Sequence, residues 1–220
     1  MKKYLMTLTA VLWLCAAFAQ NDKYTNAMLP KIALLDSNNS VDEWKSLSNA
    51  FERIADAEKT KWEPYYYASF CMVTAGSRAM PTDGSMGDNT KISDPYADKA
   101  EQLLDKASAL SKDNSEIYCV SKMIHSLRMR GNPMARYMTE GAKASEALEK
   151  AKKLNPYNPR VYILEGEDKY YTPEQYGGDK DEAKKLFEKA KDLFSIDKAI
   201  TPTEPQWGQG LVWYFLSQYK

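Results

Sequence analysis

The sequence predicts an all-α fold: an α-solenoid of stacked antiparallel helical hairpins, about three to four repeats followed by a C-terminal helix. A spaced triplet is the first observation. Alanine, a large apolar residue four on and alanine three later occur as Ala100/Leu104/Ala107, Ala144/Leu148/Ala151 and Ala183/Phe187/Ala190. Tyr118 and Tyr162 follow the first two triplets at one fixed distance. Second, few runs alternate apolar and polar residues as strands do. Third, helix starts and stops recur between the apolar stretches.

Residues 22–37 form a first candidate helix carrying Tyr24, Ala27, Met28, Ile32, Leu34 and Leu35. Ser40-Val41-Asp42-Glu43 reads as a capping box, with serine taking an orphan amide and glutamate reaching back. The helix after it lines up Trp44, Leu47, Ala50, Phe51, Ile54, Ala55 and Ala57. Trp62-Glu63-Pro64 opens the next helix, where proline is tolerated in the first turn. Residues 76–95 carry Gly76, Pro81, Gly84, Gly87 and Pro95 and predict a long polar loop. Its Asp83, Asp88 and Asp94 lack the alternating ligands and closing glutamate of a calcium loop. Helices follow over 96–111, 115–130, 137–154, 159–172, 179–194 and 204–219. Asn158-Pro159, Asp179 with Glu182, and Thr203 with Gln206 mark starts. Gly131-Asn132-Pro133, Asn155-Pro156 and Gly177-Gly178 mark stops. Pro173, Gly177-Gly178 and Asp179 make a stop, a turn and a new start, not a phosphate loop, because no Lys-Ser/Thr follows the glycines.

The N-terminus begins Met1-Lys2-Lys3, runs apolar from Tyr4 to Phe18 and reaches Ala17-Phe18-Ala19. A basic start, a short apolar run and a small-x-small site predict a signal peptide, residues 1–19, cleaved after Ala19. The expected location is therefore periplasmic or secreted, with no stable membrane insertion afterwards. The whole chain has no net charge. Without a basic excess to neutralise phosphates, a nucleic-acid partner is not expected. Cleavage removes Cys15 and leaves Cys71 and Cys119 as either a disulfide or two buried small residues.

The triplets resemble the second helix of tetratricopeptide repeats, as in secreted repeat proteins of Bacteroidetes-type bacteria. Ala144 to Pro159, followed by Tyr162 and Gly166, carries the small-large-small helix, the Asn-Pro turn, the aromatic and the glycine of that family. Ala100 to Tyr118 matches the same frame. Ala183 to Phe194 matches the second helix, and Ala50, Ile54 and Ala57 fit weakly. The triplets recur about every 40 residues, against about 34 in the plain repeat. The resemblance implies a single repeat domain over 20–220 that binds a protein or peptide partner in a concave groove. The frame points Tyr66, Met123, Arg160, Glu167, Tyr170 and Tyr171 towards that groove. The inner positions Cys119, Met123, Ile163 and Glu167 lack the lysines and asparagines that grip acidic peptide ends.

No catalytic constellation stands out. His125 is the sole histidine and reads as a packed side chain. It lies six residues from Cys119, on a different helix face, so the two make no nucleophile–base pair. Two cysteines and one histidine do not fill a structural zinc site. The reading is therefore a non-enzymatic adaptor without metal or cofactor. The 15 Tyr and 5 Trp offer amphipathic contact area. They support a second reading, an exported helical solute- or glycan-binding protein, with Trp207 and Trp213 near the terminal helix.

Overall fold

The computed structural model describes residues 23–37, 40–82, 87–196 and 199–219. The expected signal peptide lies outside the described residues. Among those described, regular structure is helical: α1 over 23–32, α2 Val41–Glu58, α3 Glu63–Ala79, α4 Thr90–Leu110 and α5 Ser115–Gly131. Then come α6 Pro133–Arg136, a π turn Tyr137–Gly141, α7 Ala142–Leu154, α8 Pro159–Tyr171, α9 Lys180–Ile196 and α10 Gln209–Ser217. Helices α2 to α5 pack in chain order, as do α7 to α10, while α5 packs on α7 and also touches α3 and α8. No described helix is long and apolar enough to cross a membrane.

The triplets are core. All nine of their residues are buried, and both flanking alanines of the first and third are fully so. Small side chains let neighbouring helices close in, while the larger residue between them fills the groove. The close approach brings serines within reach of backbone. Ser48 donates to Ala68 O (2.7 Å), Ser69 to Ala100 O (2.7 Å) and Ser115 to Ala151 O (2.9 Å), joining α2 to α3, α3 to α4 and α5 to α7.

Helix ends mostly follow the capping chemistry. Glu43 N–H donates to Ser40 Oγ (3.2 Å) and Ser40 N–H to Glu43 Oε2 (2.8 Å), completing the box. Asn114, Asn158 and Asp179 accept from the amides of Glu116, Arg160 and Glu182. Gly177 takes the left-handed conformation (φ 94°) that the turn after α8 needs.

Two expectations are corrected. The loop predicted over 76–95 is shorter, because α3 runs on to Ala79 and α4 begins at Thr90. Gly76 serves a helix contact, not a turn: a Cβ there would sit 2.6 Å from both Leu127 Cδ2 and Tyr96 Cβ. Pro95 falls in the second turn of α4, where Asp94 is clamped by both terminal nitrogens of Arg136 (2.6 and 2.8 Å). The terminal helix starts at Gln209, not 204. The Thr203 hydroxyl donates instead to Glu63 (3.4 Å), and Trp207 stacks on Phe70 with centroids 4.6 Å apart. That segment plugs the N-terminal half of the core, and tertiary packing there outweighs local helix signals. Cys71 and Cys119 are both free and buried, and burial pushes both thiols up.

Candidate functional site

An open groove of about 610 Å³ lies along the α5–α7 pair. Ligand pockets commonly fall between about 300 and 1,000 Å³. Tyr118, Ser121 and His125 line it from one stripe of α5, and Lys143, Lys150 and Lys153 from one stripe of α7. These spacings of three, four and seven residues put side chains on a common helix face.

His125 Nδ1 lies 2.7 Å from Glu140 Oε2, and Lys143 Nζ donates to Glu140 Oε1 (2.9 Å). Glu140 comes from the π turn, an element often found at functional positions. Burial alone raises its carboxyl, but hydrogen bonds from His125 and Lys143 outweigh that and hold it below the usual carboxylate range. At the other end of the groove, Lys150 Nζ stands 5.8 Å from the centre of the Tyr118 ring and 3.6 Å from Asp113 Oδ1. The same π turn exposes Tyr137 and Met138.

The residues expected to line a concave groove are dispersed. Tyr66 is fully buried and Arg160 nearly so, and both join one interior network. The Tyr66 hydroxyl donates to Glu116 Oε2 (2.9 Å), while Arg160 Nε (2.6 Å) and Asn158 Nδ2 (2.7 Å) donate to Glu116 Oε1. Trp207 Nε1–H in turn donates to the Tyr66 oxygen (2.7 Å). A buried cation needs such a partner, which is why these two side chains point inward. Met123 is half-buried between the two larger apolar clusters. Tyr170 and Tyr171 meet edge to face at 5.1 Å, and both rings contact Phe215. Tyr171 is exposed, as are Trp213 and Tyr214 on α10, whereas Trp207 is buried. The contacts of Glu116 with Tyr66, Asn158 and Arg160, and of Glu140 with His125, carry no local signal, since each joins distant parts of the chain.

Glu167 is half-buried on α8. Loss of hydration pushes its carboxyl up to about 7; Lys122 opposes this, Asp168 adds to it and Arg130 opposes it. The folded state then keeps a proton that the unfolded chain releases. Its contribution to stability is full below the ordinary carboxylate range and is lost as pH rises through about 7. Glu167→Gln should therefore raise the melting temperature near pH 8 and leave it unchanged near pH 4, by roughly the spread expected of one shifted group. A difference independent of pH in thermal melts contradicts this assignment.

Among the described residues no cluster of three metal-ligating side chains forms. No protein-family model and no curated protein matches the chain. Among the described helices, α5 and α7 thus carry an open groove rimmed by Lys143, Lys150 and Lys153. The solved HusA haemophore from Porphyromonas gingivalis is similar to it. The two are 34% identical, over 90% of this chain and 92% of that one, with a TM-score of 0.75. The chain belongs to the HusA haemophore family.

Proposed function

We propose that this chain is an exported binding protein for haem or a closely related porphyrin, not an enzyme. The similarity to a haemophore over nearly the whole length of both chains carries the reading. The basic, apolar and small-residue pattern of residues 1–19 supports export. Together these favour the small-ligand reading over the protein-adaptor reading. The tetratricopeptide-like frame is retained as a proposal for how the hairpins repeat, supported by the buried triplets.

The test is a titration of residues 20–220 with haemin and, separately, with iron-free protoporphyrin. Tryptophan quenching and porphyrin absorbance are followed together. Saturable one-to-one binding with a Kd of about 1 μM or tighter is expected, equivalent to about 8 kcal/mol. Binding that never saturates, or saturation only by oligosaccharides or peptides, overturns the proposal.

A further inference from the structure

We infer that the pocket between α1, the start of α3 and residues 200–203 holds a free α-amino acid, its ammonium on Glu63 Oε2 and its carboxylate on Lys61. The inference lies outside the haem reading and does not depend on it. The pocket measures about 330 Å³. That is near the lower end of ligand pockets and suits a molecule of amino-acid size. Its walls come from both ends of the chain. Tyr24 belongs to α1, Lys61 and Glu63 to the entry of α3, and Thr201 and Thr203 to the segment that plugs the core. Two buried polar atoms carry the inference. Tyr24 is 6% and Glu63 7% exposed, yet neither the Tyr24 hydroxyl nor Glu63 Oε2 has a hydrogen-bond partner among the described residues. Thr203 donates to the other carboxylate oxygen, Oε1 (3.4 Å), and Thr201 Oγ1 lies 3.3 Å from Thr203 Oγ1. A buried acceptor without a donor is costly, so Oε2 calls for a donor entering from the pocket. Burial pushes the Glu63 carboxyl up, and the groups that oppose this include Lys61. Burial and then the Glu63 charge push the Tyr24 phenol up against a nearby Thr203, so the phenol keeps its proton.

Charge decides the class of ligand. Lys61 is half-buried in the pocket lining, with Nζ 5.9 Å from the centre of the Tyr24 ring, and makes no ion pair among the described residues. A bare amine would satisfy Oε2 but bring a second cation towards Lys61. A bare carboxylate would meet Lys61 but stand against Glu63 and the neighbouring charge of Glu204. A neutral polyol would leave Lys61 without a counter-charge. A zwitterion answers both groups with charge-assisted hydrogen bonds. An ammonium has three protons to donate. Glu63 Oε2 takes one, and the Tyr24 and Thr201 hydroxyl oxygens line the same pocket as further acceptors. These contacts would tie α1 to residues 200–203, so binding should slow amide exchange in both segments.

Isothermal titration of residues 20–220 with each of the common free amino acids tests the assignment. At least one should saturate one-to-one with a Kd below about 1 mM. For that amino acid, blocking one charge at a time separates the two contacts. The N-acetyl form should bind at least about tenfold more weakly and be indifferent to Glu63→Gln. The carboxamide form should weaken by about tenfold as well and be indifferent to Lys61→Met. Circular dichroism verifies that each variant is folded. Should Glu63→Gln fail to fold, Lys61→Met and the two blocked forms still decide, because Lys61 is only half-buried. No saturation by any amino acid overturns the inference. So does saturation by methylammonium or glucose in their place, or unchanged affinity in a folded Lys61→Met variant. Each of these results leaves the haem reading standing, since the porphyrin titration decides that reading separately.

Discussion

Glu116→Ala is expected to destabilise the protein by about 3–5 kcal/mol, the cost of leaving a buried cation without its counter-charge. Glu116 lies at the start of α5 and holds groups from α3 and α8. Arg160 and Asn158 share one of its oxygens and Tyr66 donates to the other. Arg160 is only 4% exposed, so water cannot take over the lost contact. Glu116→Gln keeps the shape but not the charge, and should cost nearly as much. Tyr66→Phe removes one hydroxyl that both donates to Glu116 and accepts from Trp207, and should cost about 1–3 kcal/mol. Urea unfolding measures each value. The decisive comparison is the double variant Glu116→Gln/Arg160→Met, which removes both charges and should recover much of the loss. A Glu116→Ala cost below about 1 kcal/mol, that of an exposed ion pair, contradicts the account.

Phe187→Ala should cost about 3–5 kcal/mol, the range for removing a buried aromatic ring. Phe187 is fully buried on α9 and stacks on Phe215 of α10 with centroids 4.4 Å apart and planes 3° from parallel. It also fills the space that Gly166 leaves on α8, where a Cβ would stand 2.6 Å from Phe187 Cε1. Phe187 thus ties α8, α9 and α10 together. Its loss should free α10 first, seen as faster amide exchange over Gln209–Ser217 than elsewhere. Gly166→Ala is the converse test. Overpacking costs about 1–3 kcal/mol and helix propensity returns about 1. The Gly166→Ala penalty should shrink in a Phe187→Leu background, because the clash is with the ring. Equal penalties in both backgrounds would mean that Gly166 and Phe187 do not share that space.

The features legible in the sequence are local ones. Ser40 and Glu43 lie within one turn, and their capping box forms. Ala183, Phe187 and Ala190 share one helix face, and all three are fully buried. The same local reasoning misplaces Gly76 and Pro95, because breakers report backbone preference and not the neighbour that exploits it. Gly76 is small so that Leu127 and Tyr96 can approach. Tyr66 and Arg160 look like groove residues on a helical frame, but Glu116 lies 50 and 44 residues away from them and draws both inward.

By itself the sequence determined a chain of helices with alanine-lined contacts and most of their caps. Those properties follow from periodicity and capping within a few turns of one helix. Only the tertiary structure decided which polar groups meet. His125 met Glu140 across the bend into α7, Glu116 gathered Arg160 and Tyr66, and the Trp207 indole N–H returned to the Tyr66 hydroxyl on α3. Such meetings depend on how helices cross and how far apart in the chain their contacts lie. A spacing pattern describes one face of one helix and leaves the choice of partner to packing.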